Sequence, residues 1–195
     1  MAYPTVSAPY GFQPVNRIDG MPYAGQTRLI PIASTYNTAI FNGDLVKLVT
    51  AGTAELFTGA DDGVAVGVCV GVQYVNSLGQ FTPDQYYPGT SVTEAFAVVV
   101  DDPMVAFKTA VASDAGVIGS AARAAVGSNM SVVINAGDTA TGNSAGAAEA
   151  GTEATTATLP LRVIDVVTET ATAADAFVEV IVKLNTHQYN STTGV

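Results

Sequence analysis

Two side chains with nucleophile or general-base chemistry occur once each: the imidazole of His187 and the thiol of Cys69. A Ser-His-Asp or Cys-His arrangement would have to use His187, yet it follows the last apolar run in the polar stretch Leu184-Asn185-Thr186-His187-Gln188-Tyr189. Catalytic histidines need a second group that orients the ring inside a walled site, and a polar tail does not supply one. His187 is therefore expected to hydrogen-bond at a surface or interface. Cys69 lies within a Val-rich run and reads as a small packing hydrophobe. One Cys and one His exclude an internal disulfide, a Cys/His metal cluster and a two-histidine zinc site. The adjacent acids Asp61-Asp62 and Asp101-Asp102 point to opposite faces if they lie in strands, and Asp62-Gly63 and Asp102-Pro103 are turn dipeptides. A glycosidase-type pair of distant carboxylates would want an aromatic sugar platform, which a chain without Trp does not suggest. Gly137-Asp138-Thr139 lacks a calcium-ligand ladder, and Gly67 and Gly71 form neither a dinucleotide fingerprint nor a P-loop. The expectation is a protein that is not an enzyme, has no cofactor and no metal, and works through its interfaces.

Composition narrows the partners. The chain has 195 residues and 17 acids against 7 bases, a net charge of −10, and the cations Arg17, Arg28, Lys47, Lys108, Arg123, Arg162 and Lys183 are scattered. Nucleic acid is thus not an expected partner, because phosphate neutralisation needs clustered cations. With 48% hydrophobic and 12% charged residues the chain escapes the signature of global disorder, and its length suits one domain with ordered arms. No apolar run approaches the roughly 20 residues of a membrane-spanning helix. The start, Met1-Ala2-Tyr3-Pro4, lacks a basic segment followed by an apolar stretch, so synthesis in the cytoplasm, without membrane contact, is expected.

The elements that must position any site read as strands. Pro4, Pro9, Pro14, Pro22 and Pro31 punctuate the first 31 residues, with Tyr3, Tyr10, Phe12 and Tyr23 between them. Proline at this density blocks helix and central strand alike, which predicts an extended arm over residues 1–27. Such an arm cannot bury its aromatics against itself, so these four are its candidate anchors on another surface. Runs rich in Val and Ile, bounded by Gly, Pro, Asn or Asp, predict strands over 28–33, 44–49, 64–75, 94–100, 105–111, 130–135, 161–167 and 177–184. In the run 64–75 one face is branched (Val64, Val66, Val68, Val70, Val72) and the other small (Ala65, Gly67, Cys69, Gly71), which would let another backbone approach closely. Ala content allows about two helical turns over 116–126, weakened by Gly116 and Gly119, and one more turn over 172–177. Residues 136–158 are almost all small and read as a long surface loop, and 185–195 as an exposed polar tail. The reading is mainly β with little helix: an arm 1–27, a β-rich domain 28–184 and a tail 185–195.

The stretch Phe57-Thr-Gly-Ala-Asp-Asp-Gly-Val-Ala-Val-Gly-Val-Cys-Val-Gly-Val resembles the head-decoration (cement) proteins of tailed bacteriophages, including the lambda-type trimeric one, in the run Asp62-Gly63-Val64-Ala65-Val66-Gly67-Val68 that opens a strand. Phe96-Ala-Val-Val-Val and Phe107-Lys-Thr look like later strands of the same domain. Tyr10-Gly-Phe-Gln-Pro-Val, Gly43-Asp-Leu-Val and Val182-Lys-Leu-Asn-Thr-His-Gln are similar to capsid-associated proteins of marine and cyanobacterial phages. The clear part covers about a third of the chain, and residues 113–174 have no lambda-type counterpart.

The resemblance implies a compact β-barrel or β-tulip-like domain. It also implies a homotrimer on the outer capsid surface of a virion, with the N-terminal arm laid on the major capsid protein and the shell stabilised against DNA pressure. Other classes keep their place. One is a host- or glycan-binding module on the virion surface that uses 136–158, and another is a minor capsid or tail protein.

Overall fold

The computed structural model describes residues 6–59, 63–113, 116–167, 169, 177–192 and 194–195. Among them run sixteen strands: β1 (Gln13–Arg17), β2 (Arg28–Pro31), β3 (Ile40–Phe41), β4 (Leu45–Leu48), β5 (Ala54–Leu56), β6 (Ala65–Asn76), β7 (Phe81–Asp84), β8 (Tyr86–Tyr87), β9 (Val92–Val100), β10 (Val105–Ser113), β11 (Val117–Ile118), β12 (Asn129–Met130), β13 (Val132–Val133), β14 (Ala147–Glu149), β15 (Leu161–Val167) and β16 (Glu179–Leu184). The fold is mainly β, with a nearly closed, barrel-like sheet. One sheet has the order β12-β15-β16-β10-β14-β13, with β1 and β11 also paired to β10. A second has the order β2-β9-β6-β4-β5, with β7 also on β6, and β3 and β8 form a ribbon. The pairings are antiparallel except β10 with β14.

The long strand β6 organises the second sheet. Val68 and Cys69 pair with Val100 and Val99 before a bulge near Gly71 shifts the register. A Cβ on Gly67 would fall 2.1 Å from the Val100 carbonyl oxygen, so the small face does admit a close backbone neighbour, as its composition predicts. Side chains of both sheets meet in one large core, where Leu45, Val68 and Val100 join Phe107, Met130, Leu161 and Val182. A second cluster holds Ile30, Ile40, Val66, Val72, Tyr87 and Val99. Each such aliphatic burial contributes about 1.5–3 kcal/mol, which is where a chain lacking disulfides finds its stability.

Seven expected strands are observed within about two residues, and Ser131 splits the eighth into β12 and β13. Four expectations need correction. The proline-rich start is not a free arm over residues 10–17: β1 pairs with β10 (Gln13↔Lys108, Pro14↔Phe107), so the domain begins well before residue 28, while residues 18–27 carry no strand and are exposed apart from Tyr23. Pro14 is tolerated because β1 has a neighbour on one side only, and an edge strand can spare a donor. The segment 136–158 is a surface loop only in part: residues 138–141 and 155–158 are exposed, but β14 lies between β10 and β13 with Ala147 and Ala148 fully buried. Its small side chains are what fit that slot. In place of two helical turns, 116–126 forms β11 and one 3₁₀ turn at Arg123–Ala125. The tail docks, with His187 only 2% exposed. The turn expected at 172–177 lies, up to residue 176, outside the described residues.

Candidate interaction face

The four aromatic anchor candidates come first. Tyr3 lies outside the described residues. Phe12 is 1% exposed and belongs to the large core. Its N–H donates to the Gly43 carbonyl (2.9 Å), and the Gly11 N–H to that of Gly146 (2.9 Å). Gly11 has φ +80 and would carry a Cβ 2.7 Å from the Gly43 oxygen, so only glycine lets the chain enter the core here. Tyr10 is half-buried, its hydroxyl donating to Glu179 Oε1. Lys108 Nζ sits 3.0 Å from the same oxygen and 5.7 Å from the Tyr10 ring centre. Burial, with Glu179 adding to it, holds the Tyr10 pKa far above that of an ordinary phenol. Tyr23 is partly buried against the large core. Tyr10, Phe12 and Tyr23 thus hold their own domain together, because proline-spaced aromatics find apolar surface within the chain.

The groups that could do chemistry hold structural contacts, although the buried Nε2 of His187 has no hydrogen-bond partner among the described residues. His187 Nδ1 accepts the Tyr189 N–H (3.1 Å), while the Tyr189 hydroxyl donates to Asp101 (3.0 Å). Arg28 pairs with the same Asp101 oxygen at 2.8 Å and lies over the Tyr189 ring. Burial lowers the His187 pKa below its usual value, with Asp101 and Asp102 pulling the other way. The result is a clasp that closes the C-terminal segment onto β6, where His187 bridges to Ala65. Asp44 is buried, accepting from the Ser144 hydroxyl and the Phe41 N–H (2.8 Å), and burial raises its pKa. Ser144 in turn accepts from the Gly146 N–H (2.9 Å), so this pair ties the loop before β14 to the loop before β4. Asp61 and Asp62 lie outside the described residues. Among the described residues no group of three or more His, Cys, Asp or Glu converges as a metal would require. No helix there is long and apolar enough to cross a membrane. A shallow groove of ≈ 580 Å³ runs between residues 6–10 and 136–145.

What stands out is the solvent side of the second sheet. Cross-strand partners share a face, so the register places Leu29, Val98 and Gly71 in one row. Pro31, Phe96, Gln73 and Pro83 make the next row, with Val75 and Phe81 beyond. Leu29 is 52% exposed, Phe96 38% and Phe81 66%. An antiparallel sheet with one wet side ordinarily alternates apolar-in and polar-out; here Leu29, Pro31, Phe96, Phe81 and Pro83 lie on the wet side, with Gln73 among them and Thr93 opposite Val75. Exposed apolar side chains gathered on one side of a sheet make it the candidate docking surface. It escaped the sequence reading, which weighed the prolines of the first 31 residues instead. Its signal was present in the unbroken apolar run Ala95–Val100, which in an antiparallel sheet makes both faces apolar.

No family model, no curated protein and no solved structure matches this chain.

Proposed function

We propose that this chain is a capsid decoration (cement) protein of a tailed phage. It binds the major capsid protein on the outer surface of the head, associates with itself as a trimer, and braces neighbouring coat subunits against the pressure of packaged DNA. It acts by binding and transforms no substrate. The observation that carries this reading is the apolar wet face of β2, β9, β6 and β7. With the aromatics of residues 10–23 used inside their own domain, docking passes from the arm to this face. The acidic balance supports an outward position, where the protein does not compete for packaged DNA.

The mechanics follow from multivalency. A trimer that seats three such faces makes the second and third contacts intramolecular, raising avidity by about 10²–10⁴-fold without any strong single contact. Separating two coat subunits beneath it then requires peeling apolar area off the sheet.

The test is co-sedimentation with DNA-free shells of the phage that encodes the chain. Phe81→Asp combined with Phe96→Asp should leave the fold intact, since both side chains are exposed. Loss of two aromatic anchors at about 2 kcal/mol each should weaken binding by roughly three decades. Unchanged binding by the double variant, or no binding by the parent chain, refutes the reading.

A further inference from the structure

On the outward face of the other sheet, Arg162 of β15 stands directly opposite Lys183 of β16. Both side chains are half-buried. Like charges in this cross-strand position repel each other, a cost that a sheet ordinarily avoids or offsets with an acid. Four of the chain's other cations do have acids: Arg17 has Asp19 and Asp102, Arg28 has Asp101, Lys108 has Glu179, and Arg123 has Asp165. Among the described residues Arg162 has only neutral oxygens, donating from Nε to Asn129 Oδ1 and from Nη2 to Asn185 Oδ1 (3.2 Å). Those amides hold the guanidinium in place without neutralising it. Lys183 makes no ion pair among the described residues. The acids nearest in register, Asp165 and Glu179, are already engaged by Arg123 and by Lys108 with Tyr10.

We infer that the Arg162–Lys183 pair is a docking site for a carboxylate-bearing surface of a second copy of this chain, in a head-to-tail contact. This rests on the self-association proposed above and gives it a surface. Charge complementarity selects the occupant. Every copy carries ten more acids than bases (17 − 7), and exposed carboxylates such as Glu94 have no ion pair among the described residues, so each copy offers what the pair lacks. In a twofold contact through this face each copy's pair would draw on the acids of the same face, and the nearest in register, Asp165 and Glu179, are already paired with Arg123 and Lys108. A head-to-tail contact avoids that and closes into a ring where the rotation permits. Ile181, half-buried in β16, and Ile164, 37% exposed in β15, supply apolar area beside the charges.

The experiment mixes isotope-labelled and unlabelled full-length chains and treats them with a carbodiimide, which joins a lysine amine to a carboxylate in contact with it. Mass spectrometry then looks for labelled-to-unlabelled peptides, and sedimentation at low salt and at about 0.5 M salt, where the Debye length is roughly 4 Å, reads the assembly state. Expected are inter-copy links at Lys183, an assembly at least about tenfold weaker in high salt, and loss of both in Lys183→Glu. Lys183→Gln, with circular dichroism as the check of folding, serves if the charge reversal does not fold. Lys183→Arg should assemble. Absence of inter-copy links at Lys183, or assembly of both Lys183→Glu and Lys183→Gln like the parent, overturns the inference. Shell binding is measured in parallel. A chain that binds shells as a monomer overturns this inference and the proposed trimer but leaves capsid binding standing, and one that assembles through Lys183 yet ignores shells overturns capsid binding alone.

Discussion

Truncating one ring near the N-terminus separates a built-in segment from a free arm. Phe12 is 1% exposed in the core that includes Leu45, Phe107 and Met130, and its backbone is pinned to Gly43. Phe12→Ala removes the ring from a packed site that β1 and the Gly11–Gly43 contact keep from collapsing. Buried Phe→Ala changes cost about 3–5 kcal/mol, a large part of the roughly 5–15 kcal/mol that holds a domain folded. For a domain of this size each kcal/mol moves the midpoint by about 2–4 °C, so Tm should fall by roughly 6–20 °C. Phe12→Leu, which refills most of the volume, should recover more than half of that loss. The assay is thermal and urea unfolding followed by circular dichroism, with parent and variants at one concentration. A change under about 0.5 kcal/mol, the level of an ordinary surface substitution, would show that residues 11–17 do not hold the place described and would return them to the role of an arm.

Three further outcomes are expected. Because burial lowers the His187 pKa, the unfolded chain takes up its proton at higher pH than the folded one. The His187 contribution to stability is therefore complete above about pH 6.5 and declines as pH falls from there toward the folded value. His187→Asn keeps an acceptor for the Tyr189 N–H, and its stability difference from the parent should shrink on acidification; a constant difference between about pH 5 and 8 contradicts the clasp. Cys69 is fully buried and its thiol pKa is pushed up to about 12, so an aromatic disulfide reagent should label it no faster than the chain unfolds. Rapid labelling of one thiol in native buffer would show an open path to β6. Gly67→Ala should cost about 3 kcal/mol, the upper end for overpacking, because its Cβ meets the Val100 backbone. Gly79→Ala, with φ +76 but open space, should cost only about 1 kcal/mol from backbone strain, and equal losses in urea unfolding would refute the close approach.

Much of the local structure was legible because it is local. Runs such as Leu161–Val167 and Val105–Val111 are apolar, branched and bounded by turn residues, and they became strands where composition placed them. Gly67 announced a close backbone approach through the size of its face alone. The candidate site was less legible. Phe96 and Phe81 belong to strands whose neighbours decide whether the outward side is wet, and no residue spacing states which strand pairs with which.

Composition by itself determined the β class, the exclusion of an internal disulfide and of a Cys/His metal cluster, and the acidic charge, since these depend on residue types and short-range backbone preference. Tertiary structure alone decided which apolar groups are spare. Proline spacing made residues 1–27 look unable to use their aromatics, and only the pairing of β1 with β10 shows Phe12 inside its own core. Likewise only register sets Arg162 beside Lys183 and gathers Leu29, Phe96 and Phe81 on one side of a sheet. Burial and charge pairing are properties of contacts between distant segments, and those contacts form where the strand order brings the segments together.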